Sequence, residues 1–271
     1  VKLLKTRNAR FAAILVILLA FELIYILNDK FGRHKNHLAN PVPYEAAYSR
    51  IMAEKNRERN KPAWIPPPKY LMEKYLEAYD LVNLVWVNEK IKVDLRYSTE
   101  NNFLRTDMYG ELDRAYLPQE VADAVSKAQN ILNEKYPYYS IVVFDGTRPL
   151  YIQKMMWDKL QGPDSVKALY VANPVETSLH NYGAAVDVGL MNEDGWLVDM
   201  GTEYDFFGEL GHPAKEAQML ADGKLTHRQV LNRKLLRDVM TDAGFSPYDK
   251  EWWHFNYCSK ATAMEKFKLV N

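Results

Sequence analysis

The 271-residue chain has a single cysteine, Cys258, and no net charge, with 35 Lys and Arg against 35 Asp and Glu. One thiol excludes an intrachain disulfide and any zinc site built from several cysteines. The even charge balance argues against a protein that coats nucleic acid. Internal repeats and low-complexity runs are absent, which removes solenoid architectures. What remains, 48% hydrophobic and 26% charged, is globular composition, long enough to bury a sizeable core in one large domain or two ordinary ones.

The zero is a sum of unlike parts. Lys2, Lys5, Arg7 and Arg10 stand at the start with no acid among them. Seven of the 35 basic and two of the 35 acidic residues precede Asn36, which leaves 28 basic against 33 acidic from there on. Between leader and body runs Phe11 to Leu27, seventeen residues whose only charge is Glu22. As an apolar helix it would span roughly 25 Å, at the short end for a bilayer. Residues 1–27 therefore read as an uncleaved signal-anchor or a cleaved signal peptide, with a buried helix as the third reading. The basic residues flanking the run place the rest of the chain outside, in the periplasm or cell envelope of a bacterium. Residues 28–69, with Pro41, Pro43 and Pro66-Pro67-Pro68, read as a linker of roughly 35 Å end to end, or as an extension packed on the domain.

From residue 70 to residue 271 the pattern predicts one α+β domain with a central, largely antiparallel sheet flanked by helices and preceded by the apolar N-terminal helix. Strands are expected at Leu84–Val87, Ile91–Leu95, Ser140–Phe144 and Ala184–Leu190, with Trp252–Tyr257 closing the sheet. Helices are expected at Leu117–Tyr136, Leu150–Leu160 and Arg228–Ala243, the last ended by Gly244.

Three short stretches concentrate chemistry. In Ser178 to Asp187, Val186, Val188 and Leu190 share one strand face and Asp187 the other, where His180 can reach it across the turn at Gly183. Glu251-Trp252-Trp253-His254 adds a second imidazole and a second carboxylate. Two imidazoles and a carboxylate suit a catalytic zinc with one open position, leaving Glu251 as a base for water. Asp145-Gly146-Thr147-Arg148-Pro149 places an arginine directly after a buried strand, where it can meet an oxyanion. Each stretch also has a plainer reading: a hydrogen-bonded His–Asp pair, a Trp-Trp core element and an ordinary turn. His212 and His227 lie outside these stretches and read as non-ligands.

Taken together, S-x-H-x-x-G-x-A-x-D at 178–187, D-G-x-R-P at 145–149 and E-W-W-H at 251–254 resemble the zinc D-alanyl-D-alanine dipeptidases of the VanX type. Asp94 to Phe103 is similar to that family's opening strand and loop, and Met200 to Asp205 to its M-G-x-x-F-D segment. The resemblance implies one Zn²⁺ per chain held by His180, Asp187 and His254, and hydrolysis by metal-activated water with Glu251 as general base. It makes Arg148 the stabiliser of the tetrahedral intermediate. Asp205 with Tyr97 would receive the substrate ammonium, and Asp145 and Ser178 would support Arg148 and the substrate carboxylate. Thr147 and Tyr204 depart from the family pattern, and neither is expected to touch a ligand. The expected partner is a small dipeptide, with no nucleic acid and with a membrane engaged only through the N-terminal segment. A carboxypeptidase or endopeptidase acting on peptidoglycan stem peptides is the alternative activity. A zinc-stabilised binding module is the non-enzymatic one.

Overall fold

The computed structural model describes residues 69–271. The apolar run Phe11–Leu27 and nearly all of the 28–69 linker lie outside the described residues. No helix among the described residues is long and apolar enough to cross a membrane.

The described chain opens with α1 (Lys69–Glu77), β1 (Leu81–Asn83), a helical turn α2 (Leu84–Val87), β2 (Lys92–Val93) and β3 (Tyr116–Pro118). The β-prone run at Leu84–Val87 is therefore helical, contrary to the expected strand. Its flanking asparagines decide this. Asn83 Oδ1 accepts from the Val85 amide at 3.1 Å, and the Asn88 amide donates to Leu84 O at 3.0 Å, closing the turn at both ends. Of the expected strand Ile91–Leu95, only Lys92–Val93 joins a sheet.

The main body follows as α3 (Gln119–Lys135), β4 (Ser140–Asp145), α4 (Leu150–Lys159), α5 (Asp164–Lys167), β5 (Ala185–Met191), α6 (Glu216–Ala221), α7 (His227–Ala243), β6 (Ser246–Tyr248), β7 (Glu251–Asn256) and α8 (Lys260–Lys266). Thr226 caps α7 together with Gln229, and Gly244 ends it at φ 111°, a conformation that favours glycine. Val121, Val125, Ala128 and Leu132 of α3 are fully buried, as are Leu236 and Met240 of α7, and the two helices pack on each other. Each buried Val, Leu or Met contributes roughly 1.5–3 kcal/mol, which fastens this helical layer in the core.

β1 and β3 form a two-stranded antiparallel sheet, and the main sheet has the order β2-β4-β5-β7-β6. Only β2 with β4 is parallel, so the sheet is mixed and mostly antiparallel. β7 does not close the sheet, as the pattern predicts, but lies inside it, with β6 at the edge. Pro247 lacks an amide hydrogen and is tolerated there because β6 is an edge strand.

Two register shifts position the chemistry. Val143 faces Val188 across the β4–β5 ladder, but Asp145 faces Asp187, so Phe144 is one residue extra. Regular pairing would put Asp145 opposite Val186 on the core face; the bulge turns it onto the face of Asp187. On β7, Pro247 faces Phe255 while Tyr248 faces Glu251, a second irregularity. Trp252 and Trp253 are both buried in consequence, and Glu251 and His254, three apart, reach the same side.

Candidate metal centre

Asp145, Asp187 and His254 form one row across β4, β5 and β7, each the direct cross-strand neighbour of the next. His180 joins them from the 3₁₀ turn Leu179–Tyr182 that leads into β5. Gly183 ends that turn at φ +64°, and a Cβ there would lie 2.5 Å from Pro118 Cδ and 2.6 Å from Thr147 Oγ1. Gly183→Ala is therefore expected to lose about 1–3 kcal/mol from backbone strain alone, with the clash adding to it. Urea unfolding measures this, and a variant as stable as the parent would contradict the turn geometry.

His180 Nε2 lies 3.2 Å from His254 Nδ1 and 3.4 Å from Asp187 Oδ1, and His254 Nδ1 lies 3.0 Å from the same oxygen. These three residues form a group that could hold a metal ion, their ligand atoms all within 4.8 Å of one another. The outer hydrogen bonds fit that use. His180 Nδ1 is 2.8 Å from Gly146 O, a pure acceptor, so Nδ1 carries the proton and Nε2 offers its lone pair inward. His254 Nε2 is 2.8 Å from Asn256 Oδ1, which orients the ring with Nδ1 toward Asp187 and His180. Among the described residues, neither His212 nor His227 belongs to this group.

Without an ion the two imidazoles themselves supply the positive charge beside Asp187, and a metal ion would displace the protons on their inward nitrogens. Burial alone would raise the Asp187 carboxyl, but the charge of His180 and hydrogen bonds from both histidines hold it well below the usual carboxylate range. Burial opposes charge on His254, yet the Asp187 hydrogen bond and charge prevail and raise it to about 9. Glu251 Oε2 stands 3.8 Å from His254 Nδ1. Burial raises its carboxyl, against the pull of His254, and the Asp187 charge adds to the rise.

Arg148 faces the same point. Its Nε and Nη2 donate to Asp145 Oδ2 at 2.9 and 2.6 Å, and Nη2 is 3.9 Å from Asp187 Oδ2. Asp145 has no solvent exposure, and its other oxygen accepts from Tyr109 Oη at 2.8 Å and the Gly146 amide at 3.0 Å. The Arg148 amide donates to His180 O, and Asn181 Nδ2 donates to Arg148 O, both at 2.9 Å. Guanidinium and imidazole are thus set relative to one another by main-chain bonds. Ser178 lies in this scaffold. Its Oγ donates to Gln153 Oε1 at 2.6 Å, so contact with a substrate carboxylate would need that proton redirected.

Asp205 is brought in by the segment from Met200 to Leu210. Arg233 of α7, almost wholly buried, donates to Met200 O at 2.6 Å and Leu210 O at 2.9 Å, and Trp252 Nε1 donates to Thr202 Oγ1 at 2.8 Å. Asp205 adopts φ 60°, and its Oδ2 accepts from Tyr97 Oη at 2.9 Å. The Tyr97 ring also lies under Arg148, 5.3 Å from ring centroid to Cζ. One expectation fails here. Tyr204 does touch a residue of the metal group, for its hydroxyl donates to Asp187 Oδ2 at 3.0 Å. Thr147 is buried beside Gly183, and among the described residues its hydroxyl has no hydrogen-bond partner.

Sequence reasoning did not single out Asn256, Tyr109, Asn181 or Tyr204 as parts of the site. Asn256 carried a usable signal, since position i+2 from His254 on a strand shares its face. Tyr109 precedes Asp145 by 36 residues and carried no local signal.

Comparison with known proteins agrees with this geometry. The profile of the peptidase M15 family, described as D-Ala-D-Ala dipeptidase, matches residues 77–270. A D-alanyl-D-alanine dipeptidase of Escherichia coli (strain K12) is 28% identical over 179 residues, 66% of this chain and 85% of that protein. One from Enterococcus faecium is 29% identical over 180 residues, 61% of this chain and 85% of its own. One from Synechocystis sp. is 29% identical over 164 residues, covering 50% and 66% respectively. With most of its length matched and a largely buried His–Asp–His group at its centre, the chain belongs to the peptidase M15 family of D-Ala-D-Ala dipeptidases, which are metallopeptidases.

Proposed function

We propose that this protein is a zinc-dependent dipeptidase that hydrolyses D-alanyl-D-alanine. The observation that carries the reading is the convergence of two imidazoles, a carboxylate, a second carboxyl and a guanidinium on one face of the sheet. The names of its relatives supply the substrate.

His180 Nε2, His254 Nδ1 and Asp187 Oδ1 would hold the ion. Bound Zn²⁺ supplies Lewis acidity, which makes water acidic enough to lose a proton near neutral pH. Glu251 Oε2 takes that proton and delivers it to the leaving amine. Arg148, locked by Asp145, donates to the developing oxyanion. Asp205, steadied by Tyr97, receives the substrate ammonium, which a dipeptide carries on the residue of the scissile carbonyl and a longer peptide lacks there. The basic leader and the apolar run Phe11–Leu27 support a domain held at or beyond a membrane in the cell envelope. Fractionation tests that part, and a wholly cytoplasmic protein sinks it.

Full-length protein with one equivalent of Zn²⁺ is expected to cleave D-Ala-D-Ala and to leave a stem pentapeptide ending in D-Ala-D-Ala intact. Cleavage of the pentapeptide without the dipeptide overturns the dipeptidase reading in favour of the stem-peptide carboxypeptidase.

The Asp205 role has its own signature. Burial raises its carboxyl well above the usual range, the Asp187 charge adds to this, and the Tyr97 hydrogen bond and Arg148 only partly offset it. A folded pKa above the unfolded value of ~3.9 means that stability is full below pH ~4 and falls as pH rises through the folded pKa. Asp205→Asn removes that penalty, and Asn tolerates the left-handed backbone as well as Asp does. The variant is expected to melt higher at neutral pH by ~2–4 °C per kcal/mol recovered, with the gap closing toward pH 4. Its KM for the dipeptide is expected to rise by at least ~10-fold, since losing a buried charge partner costs about 2 kcal/mol or more. A lower melting temperature at neutral pH together with an unchanged KM would refute both halves.

A further inference from the structure

Asp187 divides its two oxygens between different partners. Oδ1 faces both imidazoles, 3.0 Å from His254 Nδ1 and 3.4 Å from His180 Nε2. Oδ2 turns away from them and accepts the Tyr204 hydroxyl at 3.0 Å. The Tyr204 ring is held on three sides, with centroids 5.1 Å from Phe144, 5.5 Å from Trp253 and 6.2 Å from Tyr97. Phe144 reaches that place because position 189 is glycine, where a Cβ would lie 2.8 Å from its ring. The phenol therefore arrives already oriented, and its hydrogen bond loses little side-chain entropy. Phenylalanine, the residue of the M-G-x-x-F-D pattern, would fill the same space and leave Oδ2 without this donor.

We propose that Tyr204 is a positioning residue for the metal centre, holding Asp187 Oδ2 so that Oδ1 alone is presented to the ion, and thereby tightening metal binding. The inference rests on the metal reading above. Outer hydrogen bonds to metal ligands typically change affinity 10- to 100-fold. An isolated carboxylate can rotate, or offer both oxygens; a carboxylate pinned at Oδ2 does neither without first breaking that bond.

The test is Zn²⁺ affinity of the full chain and of Tyr204→Phe, by competition with a chelator at fixed pH, beside the melting temperature of each without zinc. The substitution keeps the ring and its packing, so the variant folds and only the hydroxyl is removed. The expected result is a Kd raised about 10-fold or more with the zinc-free melting temperature unchanged. Co²⁺-loaded protein is expected to show altered visible absorption in the variant, because the carboxylate changes its mode of binding. Equal zinc affinity in both proteins overturns the inference and leaves the metal reading standing. Weaker zinc binding accompanied by a matching loss of zinc-free stability also overturns it, since general loosening then accounts for the change. A parent chain that binds no zinc overturns the inference and the metal reading together.

Discussion

Glu251→Gln is expected to keep one zinc per chain and to lose ~10²–10⁴ in turnover, the range a positioned general base contributes. The amide has the shape of the carboxyl but no basic oxygen, and it leaves His180, Asp187 and His254 untouched. Zinc content by elemental analysis and kcat on D-Ala-D-Ala are the two measurements. Loss of zinc would make Glu251 a ligand and break the proposed shell; full turnover would remove its role as base. The pH profile adds a third check. Burial raises the Glu251 carboxyl, so the acid limb of kcat/KM in the parent is expected above the ordinary carboxylate range. The base must be ionised to act, so activity falls as pH drops through that value, and the residual activity of Glu251→Gln should lack this limb.

Arg148→Ala is expected to lower kcat by about 100- to 1,000-fold, the loss of one oxyanion donor of roughly 3–4 kcal/mol. The structure adds a second effect. Asp145 has no exposure and takes two hydrogen bonds from this guanidinium, so removing Arg148 leaves a buried carboxylate without its counter-charge. Breaking such a pair costs about 3–5 kcal/mol. The melting temperature should therefore fall along with the rate. Asp145→Asn combined with Arg148→Ala separates the two. The double variant is expected to recover much of the stability and none of the turnover, measured well below both melting temperatures with zinc content confirmed. Parental turnover in either variant would end the oxyanion role for Arg148.

Long helices and buried strands were legible in the sequence because their signals are local. The apolar spacing of α3, the Gly244 stop of α7, and the runs of β4 and β5 all fall within a residue or two of expectation. Misreadings came where a short segment answers to its neighbours. Leu84–Val87 is β-prone in composition, yet two flanking asparagines close it as a helical turn. Trp252–Tyr257, expected to close the sheet, lies inside it, because Ser246–Tyr248 pairs beyond it as an edge strand where Pro247 needs no partner on its outer side.

The residues that meet at the candidate metal centre were named by the sequence alone, because each sits in a compact motif rich in chemistry. Their meeting was not. Strict alternation along β7 would place Glu251 and His254 on opposite faces, and regular pairing of β4 with β5 would bury Asp145 in the core. Two ladder irregularities, properties of paired strands rather than of either strand, rotate these side chains onto the face of Asp187. The same holds for Tyr204, seventeen residues from Asp187: a buried arginine on α7 and a glycine on β5 bring its hydroxyl to the carboxylate. Identity and local conformation are written in neighbouring residues; which face a side chain takes, and which distant donor it meets, is decided when strands choose their register.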